Sequence, residues 1–229
     1  MFAAIPKRFS SSKVLLVNCL GNGIKQFSMN RAAQRNALSV QLVDEFADAI
    51  RENRDARCVI LRSEAPGMFC AGADLKERKA MSQEEVHTFL FNLRATFRHL
   101  EEMECPTISV IDGAALGGGC EMALCTDMRI TTQSAIFGLP ETALAIIPGA
   151  GGTQRLPRLI GHSRAKELIF TADRIDAQRA LEIGLVNYMA ADYESANAKA
   201  LEIAEKICKN GPIAVRAAKA AINGFDYAD

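Results

Sequence analysis

Apolar residues along the chain recur with two spacings, and the change from one to the other marks out the elements. Between positions 40 and 52, Leu42, Val43, Phe46, Ala49 and Ile50 fall on one helical stripe, which predicts an amphipathic helix capped by Ser39. A second helix follows Ser82-Gln83-Glu84-Glu85, a capping-box sequence, and carries Val86, Phe89, Leu90, Leu93, Phe97 and Leu100 on a broad apolar face until Cys105-Pro106 ends it. Val14 to Leu20 and Ile24 to Met29 flank Gly21-Asn22-Gly23 and read as a hairpin. Cys58 to Arg62 and Thr107 to Ile111 read as buried strands. Further on, Ser163 to Ala172, Asp176 to Ile183, Glu194 to Lys209 and Ile213 to Asn223 predict helices, with a short strand over Leu185 to Met189 after a stop at Gly184.

The stretch from Asp112 to Thr153 does not follow either spacing, because it is broken by glycine. Thr107 to Ile111, Gly117 to Gly119 and Cys120 to Leu124 read as strand, glycine turn and helix, so the free N–H groups of the helix start can hold a negative oxygen. No Lys-Ser or Lys-Thr follows as a phosphate loop requires, and Met122 misses the dinucleotide pattern; the ligand is not a nucleoside triphosphate. Glu121 follows the first turn and Glu141 follows Pro140. Each alone reads first as an acid complementing a helix start. Together, among Met122, Ala123, Phe137, Leu139 and Ala143, they form a pair that cannot both ionise cheaply, so one pKa is expected to rise and the two can serve as base and acid.

Four segments carry a resemblance: Phe69 to Glu77, Ala115 to Glu121, Pro140-Glu141, and Ile147 to Leu156. In order and spacing they resemble the enoyl-CoA hydratase/isomerase (crotonase) family, over about Val17 to Gly224, and most resemble its methylglutaconyl-CoA hydratase and mitochondrial enoyl-CoA hydratase-domain branch. The resemblance implies an α/β crotonase (ClpP-like) spiral of repeated ββα units with C-terminal helices. It implies a core over 14–190 and a C-terminal helical region over 191–229 that is incomplete, since family members generally continue into a last helix. It implies a hydro-lyase in which Glu121 activates water, Glu141 protonates C2, the N–H groups of Ala73 and Gly118 hold the thioester oxygen, and the Gly149 N–H holds the water. Ala33, Gln34, Arg35, Ala71, Gly72, Asp74, Leu75 and Lys76 occupy its CoA-contact positions, although Ala32 stands where the family usually has Pro. A 2-enoyl-CoA is the expected substrate, with 3-methylglutaconyl-CoA, whose distal carboxylate calls for an arginine, as the alternative. An isomerase, an RNA-binding module and an inactive paralogue are the remaining readings. No cofactor beyond the substrate's CoA and no metal are implied. A homotrimer or dimer of trimers is expected.

Charge and cysteine usage narrow the partners. The 229 residues hold 27 Lys plus Arg against 27 Asp plus Glu, so no global basic field recruits nucleic acid or membrane. The helix over 40–52 carries Asp44, Glu45, Asp48 and Glu52 and would repel RNA phosphates. Seven scattered Cys include no Cys-x-x-Cys pair, which argues against a zinc site or disulfide framework and fits a reducing compartment. No apolar run approaches the ~20 residues of a membrane span. His87, His99 and His162 have no partner pattern and read as structural. Residues 1–13 contain Lys7, Arg8 and Lys13 and no acid; they read equally as a mitochondrial presequence remnant, placing the protein in the matrix, or as a disordered basic terminus.

Overall fold

The computed structural model describes residues 12–225, so most of the expected presequence remnant lies outside the described residues. Strands β1 (Leu15–Gly21) and β2 (Ile24–Met29) pair antiparallel. Asn22 and Gly23 between them take φ of 52° and 78°, as a two-residue turn matched to strand twist requires. A 3₁₀ turn, Ala32–Gln34, leads to helix α1 (Val40–Glu52), where Ser39 Oγ accepts from the Leu42 N–H at 3.2 Å. Glu45 on α1 accepts from the N–H groups of Val14 and Leu15 at 2.9 and 2.8 Å, tying the start of β1 to this helix.

Strand, strand and helix then repeat. The first unit is β3 (Cys58–Ser63) and β4 (Met68–Cys70), followed by α2 (Leu75–Lys79) and α3 (Gln83–Glu101). The second is β5 (Thr107–Ile111), β6 (Ala114–Leu116) and α4 (Gly118–Ala123). The third is β7 (Met128–Thr132) and β8 (Ile136–Gly138), followed by the 3₁₀ turn Pro140–Leu144, α5 (Gly152–Ile160) and α6 (His162–Thr171). The chain continues through β9 (Arg174–Asp176), α7 (Ala177–Glu182), β10 (Tyr188–Ala190), α8 (Tyr193–Lys209) and α9 (Pro212–Phe225). The first strand of each unit joins a sheet ordered β1-β2-β3-β5-β7-β10, and the second joins a sheet ordered β4-β6-β8-β9. Each turn therefore adds one parallel strand to each sheet, which makes the chain a spiral.

Asp112 fastens the corners of that spiral. Its carboxylate accepts from Gly67 N at 3.0 Å in the corner before, and from Thr132 Oγ1 and Ser134 Oγ at 2.9 and 3.0 Å in the corner after. The main core lies inside these turns and holds Phe27, Phe46, Phe69, Phe89, Phe97 and Phe137, all nearly fully buried. On the outer face of the larger sheet, α8 lays Ala196, Ala200 and Ala204 against Ile24, Ile60, Ile108, Val110 and Ile130. The sheet is thus covered on both faces, which explains why its strands are almost continuously apolar.

Some sequence expectations are corrected. The strand expected over Leu185 to Met189 begins only at Tyr188, because the N–H groups of Leu185 and Val186 are held by Ala180 O at the end of α7. From the sequence no helix is read over 152–160, where α5 forms with Pro157 inside it; that proline removes a donor, yet its own carbonyl accepts from Gly161 N. His87, His99 and His162, expected to have no catalytic or metal-binding part, are exposed. Replacing Asp112 with Ala is expected to lower unfolding free energy by about 1–3 kcal/mol, the range for acceptors lost to partly buried donors, as read by urea denaturation. Asp112→Asn should recover part of the loss.

Candidate active site

Helix α4 is six residues long and starts where β6 ends, at Gly117. Gly117 takes φ 52° and ψ −124°, and a Cβ there would meet Glu141 Oε1 at 2.9 Å. The glycine therefore both turns the chain and lets Glu141 approach its backbone. Beside it lies the end of the first repeat. Gly72 has φ 90°, and a Cβ on it would reach Leu116 O at 2.9 Å and Gly118 N at 3.3 Å. A Cβ on Gly118 would in turn lie 3.9 Å from Ala73 N. The Ala73 and Gly118 N–H groups are thus neighbours, and neither donates to another group among the described residues.

Glu121 is 2% exposed. Its Oε1 accepts from Ala150 N at 2.8 Å and from Gly152 N at 2.7 Å, in the loop that opens α5. Burial pushes its pKa above the ordinary value, and the Gly152 and Ala150 N–H groups, then the Arg155 and Arg94 charges, oppose that rise. Glu141 stands on the 3₁₀ turn after β8, with Pro140 before it. Its Oε2 is buried and has no hydrogen-bond partner among the described residues. Burial raises its pKa to about 7, and the Glu121 charge adds to the rise. The expected split between the two carboxyls thus has a different origin. Burial raises both; two N–H groups and two cations oppose the rise at Glu121, while only its own backbone N–H opposes it at Glu141.

The segments expected to contact CoA come together. Ala33 and Gln34 are exposed on the 3₁₀ turn, and Arg35 follows it with φ 53°. Arg35 O accepts from Ala71 N at 3.0 Å, and Leu38 N donates to Gly72 O at 2.8 Å, so the two segments run side by side. Leu75 and Lys76 are exposed beside them. The Asp74 carboxylate is engaged within the protein: it caps α2 by accepting from Glu77 N at 3.2 Å and pairs with Arg31 at 3.2 Å. The Gly149 N–H donates to no group among the described residues. Buried thiols flank the glutamates, but burial pushes Cys70 and Cys120 up to about 12, so neither is a thiolate near neutral pH.

Two arginines at this loop were not singled out from the sequence. Arg94 Nε donates to Gly149 O at 2.6 Å, and Arg155 donates to Ala150 O at 2.9 Å and to Glu101 at 2.6 Å. An exposed helical Arg reads as solvated, and no spacing signal distinguishes Arg94 from its neighbours on α3. A cavity of about 630 Å³ beneath α9 is lined by residues such as Leu124, Arg129, Val215 and Ile222 and by neither glutamate. Among the described residues, no group of three or more His, Cys, Asp and Glu is placed to hold a metal, and no helix is long and apolar enough to cross a membrane.

The family profile described as enoyl-CoA hydratase/isomerase matches residues 20–225. The chain belongs to that family. Two relatives of the enoyl-CoA hydratase/isomerase chain carry mitochondrial names. It is 51% identical over 205 residues to the Arabidopsis thaliana protein called "Probable enoyl-CoA hydratase 2, mitochondrial", covering 88% of this chain and 68% of that one. It is 47% identical over 207 residues to human "Methylglutaconyl-CoA hydratase, mitochondrial", covering 88% of this chain and 61% of the human protein's length. The crystal structure of an enoyl-CoA hydratase from Bacillus anthracis superposes with a TM-score of 0.91 at 47% identity, over 94% of this chain and 84% of that one. The α/β spiral is therefore the crotonase fold of this family.

The raised Glu141 pKa has a consequence for stability. The folded state keeps the Glu141 proton up to about pH 7, while the unfolded chain releases it near 4.5. Between those values the folded state binds more protons, so this group's contribution to stability falls as pH rises. Glu141→Gln should therefore gain stability over the unmodified protein as pH is raised from 5 to 8, and the difference should close toward pH 5, in paired urea titrations.

Proposed function

We propose that this chain hydrates the C2=C3 bond of a 2-enoyl-CoA thioester. The observation that carries the reading is the asymmetry of the two carboxyls. Glu121 has two N–H donors and two nearby guanidinium groups, which favour its ionised form as a base. Glu141 has an unpartnered Oε2 and a pKa raised to about 7, which suits a group that carries a proton at neutral pH.

In this reading the N–H groups of Ala73 and Gly118 receive the thioester oxygen, and charge developing there strengthens both bonds. Conjugation makes C3 electrophilic. Glu121 takes a proton from water as the water oxygen bonds to C3, the π electrons move toward the thioester oxygen, and Glu141 delivers a proton to C2 as the carbonyl reforms. The Gly149 N–H orients the water. Ala33, Gln34, Arg35, Ala71, Gly72, Leu75 and Lys76 line the path of the CoA arm, and Asp74 supports it by capping α2 and holding Arg31.

A second substrate, 3-methylglutaconyl-CoA, is favoured by the 47% identity to the human enzyme of that name and by Arg94, whose terminal nitrogens have no partner among the described residues. The mitochondrial matrix is the compartment proposed, on the names of the plant and human relatives. A homotrimer or dimer of trimers belongs to the same reading, and the exposed Ile213 and Ile222 of α9 are surface it would cover.

The test is loss of enoyl-thioester absorbance with crotonyl-CoA and, separately, with 3-methylglutaconyl-CoA. Turnover is expected with at least one of them, and Glu121→Gln and Glu141→Gln should each lower kcat by about 10²-fold or more. A folded protein that turns over neither substrate would overturn the hydratase reading.

A further inference from the structure

One peptide group between Gly149 and Ala150 is held from both sides. Its carbonyl, Gly149 O, accepts from Arg94 Nε at 2.6 Å, and its N–H, on Ala150, donates to Glu121 Oε1 at 2.8 Å. Arg94 stands on α3, far along the chain from both, and is exposed. This is the only hydrogen bond Arg94 makes among the described residues; no carboxylate fixes it there. A cation donating to a peptide carbonyl polarises the whole amide and strengthens the bond its N–H makes, by about 10–30% for a cooperative pair.

We propose that Arg94 is a positioning residue for Glu121, acting through the Gly149–Ala150 peptide rather than by touching the carboxylate. The inference rests on the hydratase reading for its kinetic consequence, though not for its physical content. The short, directed bond fixes the tilt of this peptide. The tilt aims the Ala150 N–H at Oε1, and Oε1 is the atom that leaves Glu121's other oxygen free for water. Arg155 does something different. It donates to the next carbonyl, Ala150 O, whose peptide N–H belongs to Gly151 and makes no bond to Glu121, and its own charge is paired with Glu101.

The other groups that act on Glu121 electrostatically are few. Glu141 faces it from the 3₁₀ turn after β8, Arg155 with its partner Glu101 from α5 and α3, and the protonated thiols Cys120 and Cys125 from α4 and the turn after it. Of these, Glu141 titrates closest to neutrality, so a test must hold it constant. Replacing Glu141 with Gln does so in a titration, and comparing Arg94 variants at fixed Glu141 does so in kinetics.

The experiment has two readouts. In the first, kcat and KM for crotonyl-CoA are measured against pH for Arg94→Met and Arg94→Lys; this substrate has no distal carboxylate, so lost pairing with substrate charge cannot mimic the effect. Arg94→Met is expected to lower kcat about tenfold with KM within about twofold and to move the acid limb of the profile to higher pH, with Arg94→Lys recovering part of both. In the second, the Glu121 carboxyl is titrated by ¹³C NMR in the Glu141→Gln background, assigned by its loss in Glu121→Gln; Arg94→Met is expected to raise its midpoint by about one unit. An unchanged Glu121 midpoint in folded Arg94→Met overturns the proposal. A protein without turnover removes the hydratase reading, yet the titration still decides whether Arg94 acts on Glu121.

Discussion

A carboxylate buried to 2% exposure on a six-residue helix is the constraint that the rest of this site answers to. Removing such a charge from water costs several kcal/mol unless donors replace the lost hydration, and α4 supplies none of its own for the side chain. The donors come from the loop before α5, through Ala150 N, and from the first residue of α5, through Gly152 N. That loop must in turn be fixed. Arg94 from α3 and Arg155 from α5 hold its carbonyls, and Glu101 at the end of α3 holds Arg155. At the far end of α4, buried Arg129 donates to Thr126 O at 2.5 Å and to Leu185 O at 2.7 Å, so a helix too short to be stable alone is gripped from both ends.

Glu141 is less deeply buried, and only its own backbone N–H opposes the effect of burial, with no cation beside it. Its Oε2 has no partner among the described residues, and its pKa rises to about 7 chiefly through desolvation. The charge of Glu121 is a lesser cause. Two acids separated by their surroundings behave differently from a pair separated by mutual repulsion, because neutralising one leaves the other's character largely in place. The division of labour proposed for base and acid then rests on two local environments, one at the start of α5 and one on the turn after β8.

The parts of the fold that were legible in the sequence are those where one element carries its own signal. Helices α1 and α3 have long apolar stripes and side-chain caps at Ser39 and Ser82, and both caps form. The runs in β3 and β5 are apolar because both sheet faces are covered. Strands β4, β6, β8 and β9 are three residues each, too short for a pattern, and exist only because a neighbour in the second sheet pairs with them. In the site, glycine turns and nearby acids marked Glu121 and Glu141. Arg94 left no mark, since its role depends on a carbonyl 55 residues away.

The spiral explains why these pieces meet. Strands β4, β6 and β8 lie side by side and parallel in the smaller sheet, so their carboxyl ends form one edge. Ala73 follows β4, Gly118 and Glu121 follow β6, and Glu141 follows β8. Ligands in parallel sheets bind at the carboxyl ends of strands, where following turns leave N–H groups unused. Here successive turns of one spiral each place a group at that edge: two backbone donors from the first and second repeats, one acid from the second, another from the third. The donors are main-chain atoms fixed by the sheet and by the close approach of Gly72 to Gly118, so they persist when side chains change. The acids are side chains on short helical turns, and their chemistry is set by what the neighbouring loop donates. A fold arranged in this way keeps the main-chain donors constant, and in the proposed reaction it leaves the chemistry at C2 and C3 to the two glutamates and the residues that orient them.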